Sequence, residues 1–405
     1  MLAGRRMPAP ENPTSSRERC IRSALTACAY ATLVTACGRS GLDASDVADA
    51  DGGGGTVEAS DACSSARLGA VTRTALAPAA PFGGVFGAVV DPDDDLLLVL
   101  AIPAPGDGTP AAISAADLGT RQARNLTIGG DSRVDLGEPS TASITWDPIN
   151  HRAIVLGGAD DEEPNAPPDT SQVYSIRVQG TEAILSLLPD FPDGPTNAGN
   201  LAAVIDSSHA RLLAVAAKLG TPGATATYAL DLSGTDSWSL LDTDDQAALQ
   251  SLEIVGLTYD PGGQRVLGIA TSLYSSDAPP TSSLWALSLD SPSGWTPLSG
   301  SFPPPISTWI SWPGAPDFVW DDTACGFVAS VSSATCLYDV WRMNVGAADF
   351  TFEPLGVAIQ PDIRYGRGTG LLDAKRQNVV FFGGDDCQYN QSFPATSIDF
   401  VPLLH

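Results

Sequence analysis

Thr145-Trp146-Asp147-Pro148-Ile149-Asn150-His151-Arg152-Ala153-Ile154-Val155-Leu156 reads as one strand, a tight turn and a second, wholly apolar strand. Pro148 suits the second position of a type I turn, and the Asp147 carboxylate can cap that turn's backbone amides. The same phrase of two apolar or aromatic residues, an aspartate, about five turn formers and an apolar run recurs along the chain. It is found at Val89-Val90-Asp91, Val204-Ile205-Asp206, Thr258-Tyr259-Asp260, Val319-Trp320-Asp321 and Leu371-Leu372-Asp373. From copy to copy the aspartates are 56, 59, 54, 61 and 52 residues apart. The runs that follow begin at Leu96, Ala153, Leu212, Val266, Phe327 and Val379, six residues past the aspartate in five copies and five past it in the first. A hairpin register held this closely predicts one supersecondary unit repeated six times.

Each unit continues with a third segment of period-two alternation, as in 173–178, Tyr228-Leu230-Leu232, Leu284-Trp285-Leu287-Leu289, 337–343 and Ile398-Phe400. A fourth follows, often aromatic: 238–241, 295–298 and 350–355. Four strands repeated at such intervals predict an all-β fold, a β-propeller of about six four-stranded blades. The sixth unit has no fourth strand of its own before His405, whereas the strand-like segment 68–76 precedes the first unit and belongs to none. The expectation is that the N-terminal segment completes the last blade and closes the ring, which removes exposed sheet edges. The 40 Gly, 32 Pro and 17% charged residues agree with many short strands rather than helices.

The stretch from Trp146-Asp147 through Arg152 to Gly157-Gly158 resembles the kelch repeat of the galactose-oxidase central domain, as does Leu372-Asp373 through Phe381-Phe382-Gly383-Gly384. Asp339-Val340-Trp341-Arg342 is similar to that family's third strand. The glycine pair is missing after the second strand of the first, third, fourth and fifth units. The resemblance runs from about Leu68 to His405 and implies a fold, not an activity.

Ahead of the repeats, Arg17, Arg19 and Arg22 precede an uncharged stretch of 14 residues, 23–36, too short to span a bilayer and fitting a signal peptide. Leu33-Val34-Thr35-Ala36-Cys37-Gly38 resembles a bacterial lipobox, with Cys37 as the lipidated residue. The alternative is an ordinary secretory peptide cleaved near Ala36. Segment 37–62 is rich in Asp and Gly and has no aromatic residue, which predicts a flexible tether. Its aspartates lack the spacing of a calcium loop. The expected organisation is therefore a signal peptide, 1–36, a lipidated tether, 37–62, and a propeller, 63–405. That places the product at the cell envelope, with Gly38 favouring the outer membrane, attached through lipid alone.

A formal charge of −26, with Lys218 and Lys375 the only lysines, argues against nucleic acid as a partner. Of seven cysteines, Cys20 and Cys28 fall in the leader and Cys37 takes the lipid. The four that remain suggest two disulfides, expected as Cys325 with Cys336 and Cys63 with Cys387, out of three possible pairings. The only histidines, His151, His209 and His405, do not make a copper centre or a catalytic triad, and no phosphate loop or serine elbow is present. No catalytic set, metal site or cofactor is expected. Acidic clusters at 93–95, 160–163, 242–245 and 385–386 are the remaining chemistry, with Asp160, Asp161, Asp385 and Asp386 as candidate binding-loop residues. Trp238, Trp285, Trp295 and Trp341 could stack on a sugar, but their strand positions point to packing. Two functions follow as expectations: a monomeric binding module recognising a protein or glycan at the cell surface, or a polysaccharide hydrolase or lyase using paired carboxylates.

Overall fold

A computed structural model describes residues 67–70, 72–75, 85–101, 112–134, 136, 143–156, 172–192, 202–217, 225–241, 252–272, 282–290, 294–302, 317–332, 338–357, 369–382, 385–386, 391–392 and 397–404. All of them belong to the compact unit Ser60–His405. Two short strands, β1 (Arg67–Leu68) and β2 (Thr72–Ala75), come first. Blade 1 is β3 (Val85–Asp91), β4 (Leu96–Ala101), β5 (Ala112–Asp117) and β6 (Gln122–Asn125), followed by β7 (Thr127–Gly130). Blade 2 is β8 (Ser143–Asp147), β9 (Arg152–Leu156), β10 (Val173–Gln179) and β11 (Glu182–Leu188). Blade 3 is β12 (Ala202–Asp206), β13 (Arg211–Ala217), β14 (Thr225–Asp231) and β15 (Trp238–Leu240). Blade 4 is β16 (Leu252–Asp260), β17 (Arg265–Ser272), β18 (Ser282–Ser288) and β19 (Trp295–Pro297). Blade 5 is β20 (Asp317–Asp321), β21 (Gly326–Ser332), β22 (Tyr338–Val345) and β23 (Phe350–Val357). Blade 6 opens with β24 (Thr369–Asp373) and β25 (Asn378–Phe382); after a small ribbon, β26 (Asp385–Asp386) with β27 (Gln391–Ser392), β28 (Ser397–Leu404) completes its third place.

The first strands of successive blades touch in the order β3, β8, β12, β16, β20, β24 and back to β3. Six antiparallel sheets standing side by side around a closed ring make a six-bladed β-propeller. Closure comes from the N-terminal segment, as the sequence predicts. Arg67 pairs with Leu404 and Leu68 with Leu403, and then Thr72 through Ala75 pair with Phe400 through Ser397. The fourth place of blade 6 is thus filled by two short strands on β28.

Second strands are continuous apolar runs because both faces of each blade are buried against a neighbour. Leu96, Leu98 and Leu100 of β4 pack with Ala153, Val155, Tyr174 and Ile176 of blade 2. Leu97 and Val99, on the other face, pack with Val380 and Phe400 of blade 6. In blade 2, Ala153 and Val155 face blade 1, whereas Ile154 and Leu156 face Leu212, Ala214 and Tyr228 of blade 3. The core is therefore divided among the blade interfaces. Each fully buried Leu, Ile or Val in it contributes about 1.5–3 kcal/mol.

The six hairpins are superposable in sequence. Asp91, Asp147, Asp206, Asp260, Asp321 and Asp373 pair directly with the residue five positions on. The residue just before that partner is left-handed in every copy: Asp95, His151, Ala210, Gln264, Cys325 and Gln377 have φ of 62°, 51°, 49°, 46°, 49° and 50°. None is glycine, so the capping aspartate and the flanking pairs hold a conformation that L residues otherwise disfavour. The first copy keeps the same register as the rest. β4 starts five residues past its aspartate, as all second strands do, and Leu96 simply stands where other copies have Arg, Gly or Asn.

One strand was not foreseen. Leaving β6, the chain pairs β7 in parallel with β11, Thr127 opposite Glu182 and Gly130 opposite Leu185, before entering β8. Blade 2 thereby gains a fifth strand, order β7-β11-β10-β9-β8.

Candidate functional site

Strand directions sort every connection onto one of two faces. The first-to-second and third-to-fourth turns lie on one, called here the turn face. Second-to-third connections and the passages from blade to blade leave from the other, the loop face. Asp160 and Asp161 belong to connection 157–171, outside the described residues, which is anchored at Leu156 and Val173 on the loop face. Asp385 and Asp386 form β26 and pair with Ser392 and Gln391 in the connection anchored at Phe382 and Ser397, on the same face. The ring thus brings the anchors of both expected binding loops to one face, in blades 2 and 6, with blade 1 between them. Cys37, Cys63, Cys336 and Cys387 also lie outside the described residues.

On the turn face, the six aspartates at the ends of the inner strands are at most 3% exposed. Asp147 Oδ1 accepts from the N–H groups of Ile149 (3.0 Å) and Asn150 (3.2 Å), and its Oδ2 accepts from Arg152 Nε (2.9 Å). Asp206 and Asp260 repeat the arrangement with Arg211 Nε (2.8 Å) and Arg265 Nε (2.7 Å). Each arginine also reaches into the following blade: Arg152 to Asp236 (2.9 Å), Arg211 to the Leu289 carbonyl (3.4 Å) and Arg265 to the carbonyls of Gly346 (2.6 Å) and Ala347 (3.2 Å). In blade 5 the corresponding residue is Gly326, and Arg342 from β22 occupies its side, donating to the Ala324 carbonyl. At the closing seam, Arg376 of blade 6 binds Asp373 (3.1 Å) and Asp95 of blade 1, with Lys375 also on Asp95 (3.3 Å). These charges are fasteners between blades.

Their environments shift their acidities accordingly. The hydrogen bonds from Arg376 hold Asp95 well below the usual carboxylate range, at about 2. Burial pushes Asp206 up, but hydrogen bonds from Ser208, Arg211 and His209 outweigh it and leave it lowered. Asp91, with Leu96 in place of an arginine, goes the other way. Burial raises it, and the amides of Asp93 and Asp94 only partly compensate.

Blade 3 places Ser208, His209 and Asp206 together, but not as a triad. Both Asp206 Oδ2 (2.8 Å) and Ser208 Oγ (3.0 Å) sit on the same imidazole nitrogen, Nδ1, whereas a relay needs them on opposite nitrogens. The group is a turn cap. His151 Nδ1 meets Asp93 Oδ2 (2.7 Å) between blades 2 and 1.

The tryptophans pack, as their strand positions suggest. Trp238 stacks edge-on with Phe191 and donates to the Pro189 carbonyl (2.8 Å). Trp285 and Trp295 are 7% and 4% exposed, and Trp295 donates across the blade 3–blade 4 interface to Thr227 Oγ1 (3.1 Å). Trp341 packs in the blade 4–blade 5 cluster with Phe352. Trp146 and Trp320, read from the sequence only as part of the hairpin phrase, precede the capping aspartates and pack against the preceding blade. Their identical offset from the aspartate was the available signal.

No family profile matches the chain, and no curated protein does. Solved structures do. An α-L-arabinanase of Penicillium chrysogenum, complexed with arabinobiose, is 12% identical, covers 84% of this chain and 98% of its own, and has a TM-score of 0.52. A subtype N11 neuraminidase-like protein of A/flat-faced bat/Peru/033/2010 (H18N11) is 11% identical over 83% of this chain and 94% of its own, at 0.45. A xyloglucanase of Xanthomonas campestris is 14% identical over 74% of this chain and 44% of its own, at 0.43. What this chain shares with the arabinanase is the propeller fold. Among the described residues of this propeller, no three His, Cys, Asp or Glu side chains are grouped to hold a metal ion, and no helix is long and apolar enough to cross a membrane.

Proposed function

We propose that this chain is an exported lipoprotein whose propeller serves as a monomeric binding module at the cell envelope. Cys37 carries the lipid, segment 37–62 is the tether, and the outer membrane is the site of attachment. The ligand is a glycan or protein of the cell surface, bound on the loop face through the connections that carry Asp160, Asp161, Asp385 and Asp386. The observation that carries this reading is the division of labour between the faces. On the turn face the six hairpin aspartates are buried in their own turns, and Asp95 is spent on an inter-blade ion pair. The longer connections all spring from the opposite rim of a rigid ring, the usual place for recognition on such a scaffold. The kelch-like reading of the repeats is part of the proposal, supported by the Asp–Arg pairs five residues apart in blades 2, 3 and 4.

A second reading, polysaccharide cleavage by loop carboxylates, is favoured by the arabinanase, whose structure holds arabinobiose on a similar fold. A glycan array and a panel of chromogenic glycosides, run on one purified sample, separate the two. Saturable binding without turnover supports the module; turnover lost in Asp160→Ala or Asp385→Ala overturns it. Labelling with a palmitate analogue tests the anchor, and labelling that persists in Cys37→Ala rules out lipidation there.

A further inference from the structure

The outermost strand of a blade presents unpaired N–H and C=O groups to solvent, an invitation to another chain that sequences guard with charge, proline or a bulge. Among the described residues, Arg124 stands in β6, Arg67 in β1, Arg73 in β2 and Pro297 in β19. Glu353 and Pro354 stand in β23, whose pairing also carries a bulge between Val340 and Trp341. β7 ends in Gly129-Gly130, and glycine weakens a strand. β15 is different. Trp238-Ser239-Leu240 has no charge, proline or glycine, and the residue that follows is Leu241.

Among the described residues the far edge of β15 is open, because β15 is the last strand of its sheet. The Leu241 N–H donates to the Thr227 carbonyl, and the Asp231 N–H donates to the Ser237 carbonyl. Tyr228 opposite Leu240 and Leu230 opposite Trp238 are therefore the non-hydrogen-bonded pairs of the ladder. The N–H and C=O of Trp238 and Leu240 point away from β14. Leu240 is 58% exposed, more than any other large hydrophobic side chain among the described residues. It shares a face with Trp238, whose indole donates to the Pro189 carbonyl and meets the Phe191 ring edge-on at 5.0 Å. One edge thus combines an apolar shelf with two free donor–acceptor pairs. Charge decides what it fits. Asp190, exposed, lies between Pro189 and Phe191, both in contact with Trp238. Asp231 and Asp236 flank the turn that leads into β15, and Arg152, which reaches Asp236, is already bound to Asp147. A second copy would bring another −26 of formal charge beside these carboxylates. Residues 238–241 span about 13 Å, the footprint of an extended segment, whereas a stable globular interface takes about 800 Å² from each partner.

We propose that the open edge of blade 3 is a strand-addition site for an extended, cationic segment of another protein. The segment's backbone pairs with Trp238 and Leu240, an apolar side chain covers Leu240, and Lys or Arg near its ends meets Asp190 and the turn carrying Asp231 and Asp236. The site lies on the rim of the ring, apart from the loop face, and holds whatever the loop face binds.

The test titrates the purified chain into fluorescein-Lys-Val-Thr-Val-Thr-Val-Lys-amide, followed by fluorescence anisotropy, with hydrogen exchange of the complex read by mass spectrometry. Saturable binding that slows exchange in the fragment containing Trp238 and Leu240 is expected. Leu240→Pro deletes an N–H that points away from the sheet, so the urea midpoint should hold while affinity falls about tenfold or more. Leu240→Lys keeps the backbone donor and adds the missing guard charge; it should weaken the probe to a similar degree, and it carries the test alone if the proline variant unfolds. Undiminished affinity in the folded variants, unslowed exchange at 238–240 or no saturable binding overturns the site. Equal binding of a probe with Glu in place of each Lys overturns the cationic partner. Sedimentation showing a dimer that Leu240→Pro dissolves would assign the edge to a second copy and overturn the proposal as well.

Discussion

Substituting Asp147 and Asp91 by asparagine, in parallel, separates turn capping from charge pairing. In Asp147→Asn the Oδ1 acceptor for Ile149 and Asn150 survives, but the Oδ2 that receives Arg152 Nε (2.9 Å) and Asn150 Nδ2 (3.0 Å) becomes an amide donor facing two donors. Arg152, only 7% exposed, then retains Asp236 as its remaining anionic partner. Removing one member of a buried ion pair costs about 3–5 kcal/mol, and the surviving Asp236 contact puts the expectation near 3 kcal/mol. That is a large part of a domain stability of about 5–15 kcal/mol. Asp91→Asn keeps the cap to Asp93 (3.0 Å) and Asp94 (3.1 Å) and removes a carboxylate that has Leu96 where Asp147 has Arg152. Its effect should stay within about 1 kcal/mol at pH 7, on the stabilising side. The pH arm has a definite sign. Because burial raises Asp91 above its ordinary 3.8 in the folded state, its protonated form favours folding. That contribution is present below 3.8 and lost as pH rises through the higher folded value. The advantage of Asp91→Asn over wild type should therefore vanish in acid and appear as pH rises. Urea midpoints followed by tryptophan fluorescence, with unchanged slope, measure both variants. Equal losses in the two would refute the claim that arginine pairing, and not capping, carries the difference.

Acid sensitivity should concentrate at the closing seam. Asp95 is held at about 2 by Arg376, so its stabilising contribution is complete above 3.8 and fades as pH falls toward 2; Arg376→Gln should flatten that part of an acid titration followed by near-UV circular dichroism. Gly130 has φ 94°, and a Cβ there would lie 2.2 Å from the Leu185 carbonyl oxygen of β11. Gly130→Ala is expected to cost about 1–3 kcal/mol and to speed hydrogen exchange at Thr127 and Ile128, and unchanged exchange would show that β7 does not depend on that close approach. Thr227→Val leaves the Trp295 indole N–H without the acceptor it has across the blade 3–blade 4 interface. A loss of about 1–3 kcal/mol in thermal unfolding is expected, and a change of a few tenths would mean that bond is dispensable.

Much of the fold was legible because its decisive signal is short. Within six residues, Asp147, Pro148, His151 and Arg152 supply the cap, the turn, the left-handed position and the pairing arginine; the copies at Asp91, Asp206 and Asp260 repeat at least three of these, and those at Asp321 and Asp373 keep the cap and the left-handed position. Repetition at blade spacing then specified the number of blades, and the unpaired segment at 68–76 specified closure. What stayed hidden depended on partners distant in sequence. The run Leu96-Leu97-Leu98-Val99-Leu100 has no polar alternation, so only the assembled ring decided that alternate side chains face blades 2 and 6. β7 carries a weak strand pattern and finds its place because β11, more than 50 residues later, offers an open edge. Local chemistry determined the hairpins, whereas inter-blade partners were decided by the closed arrangement that stacks sheets far apart in the chain against one another.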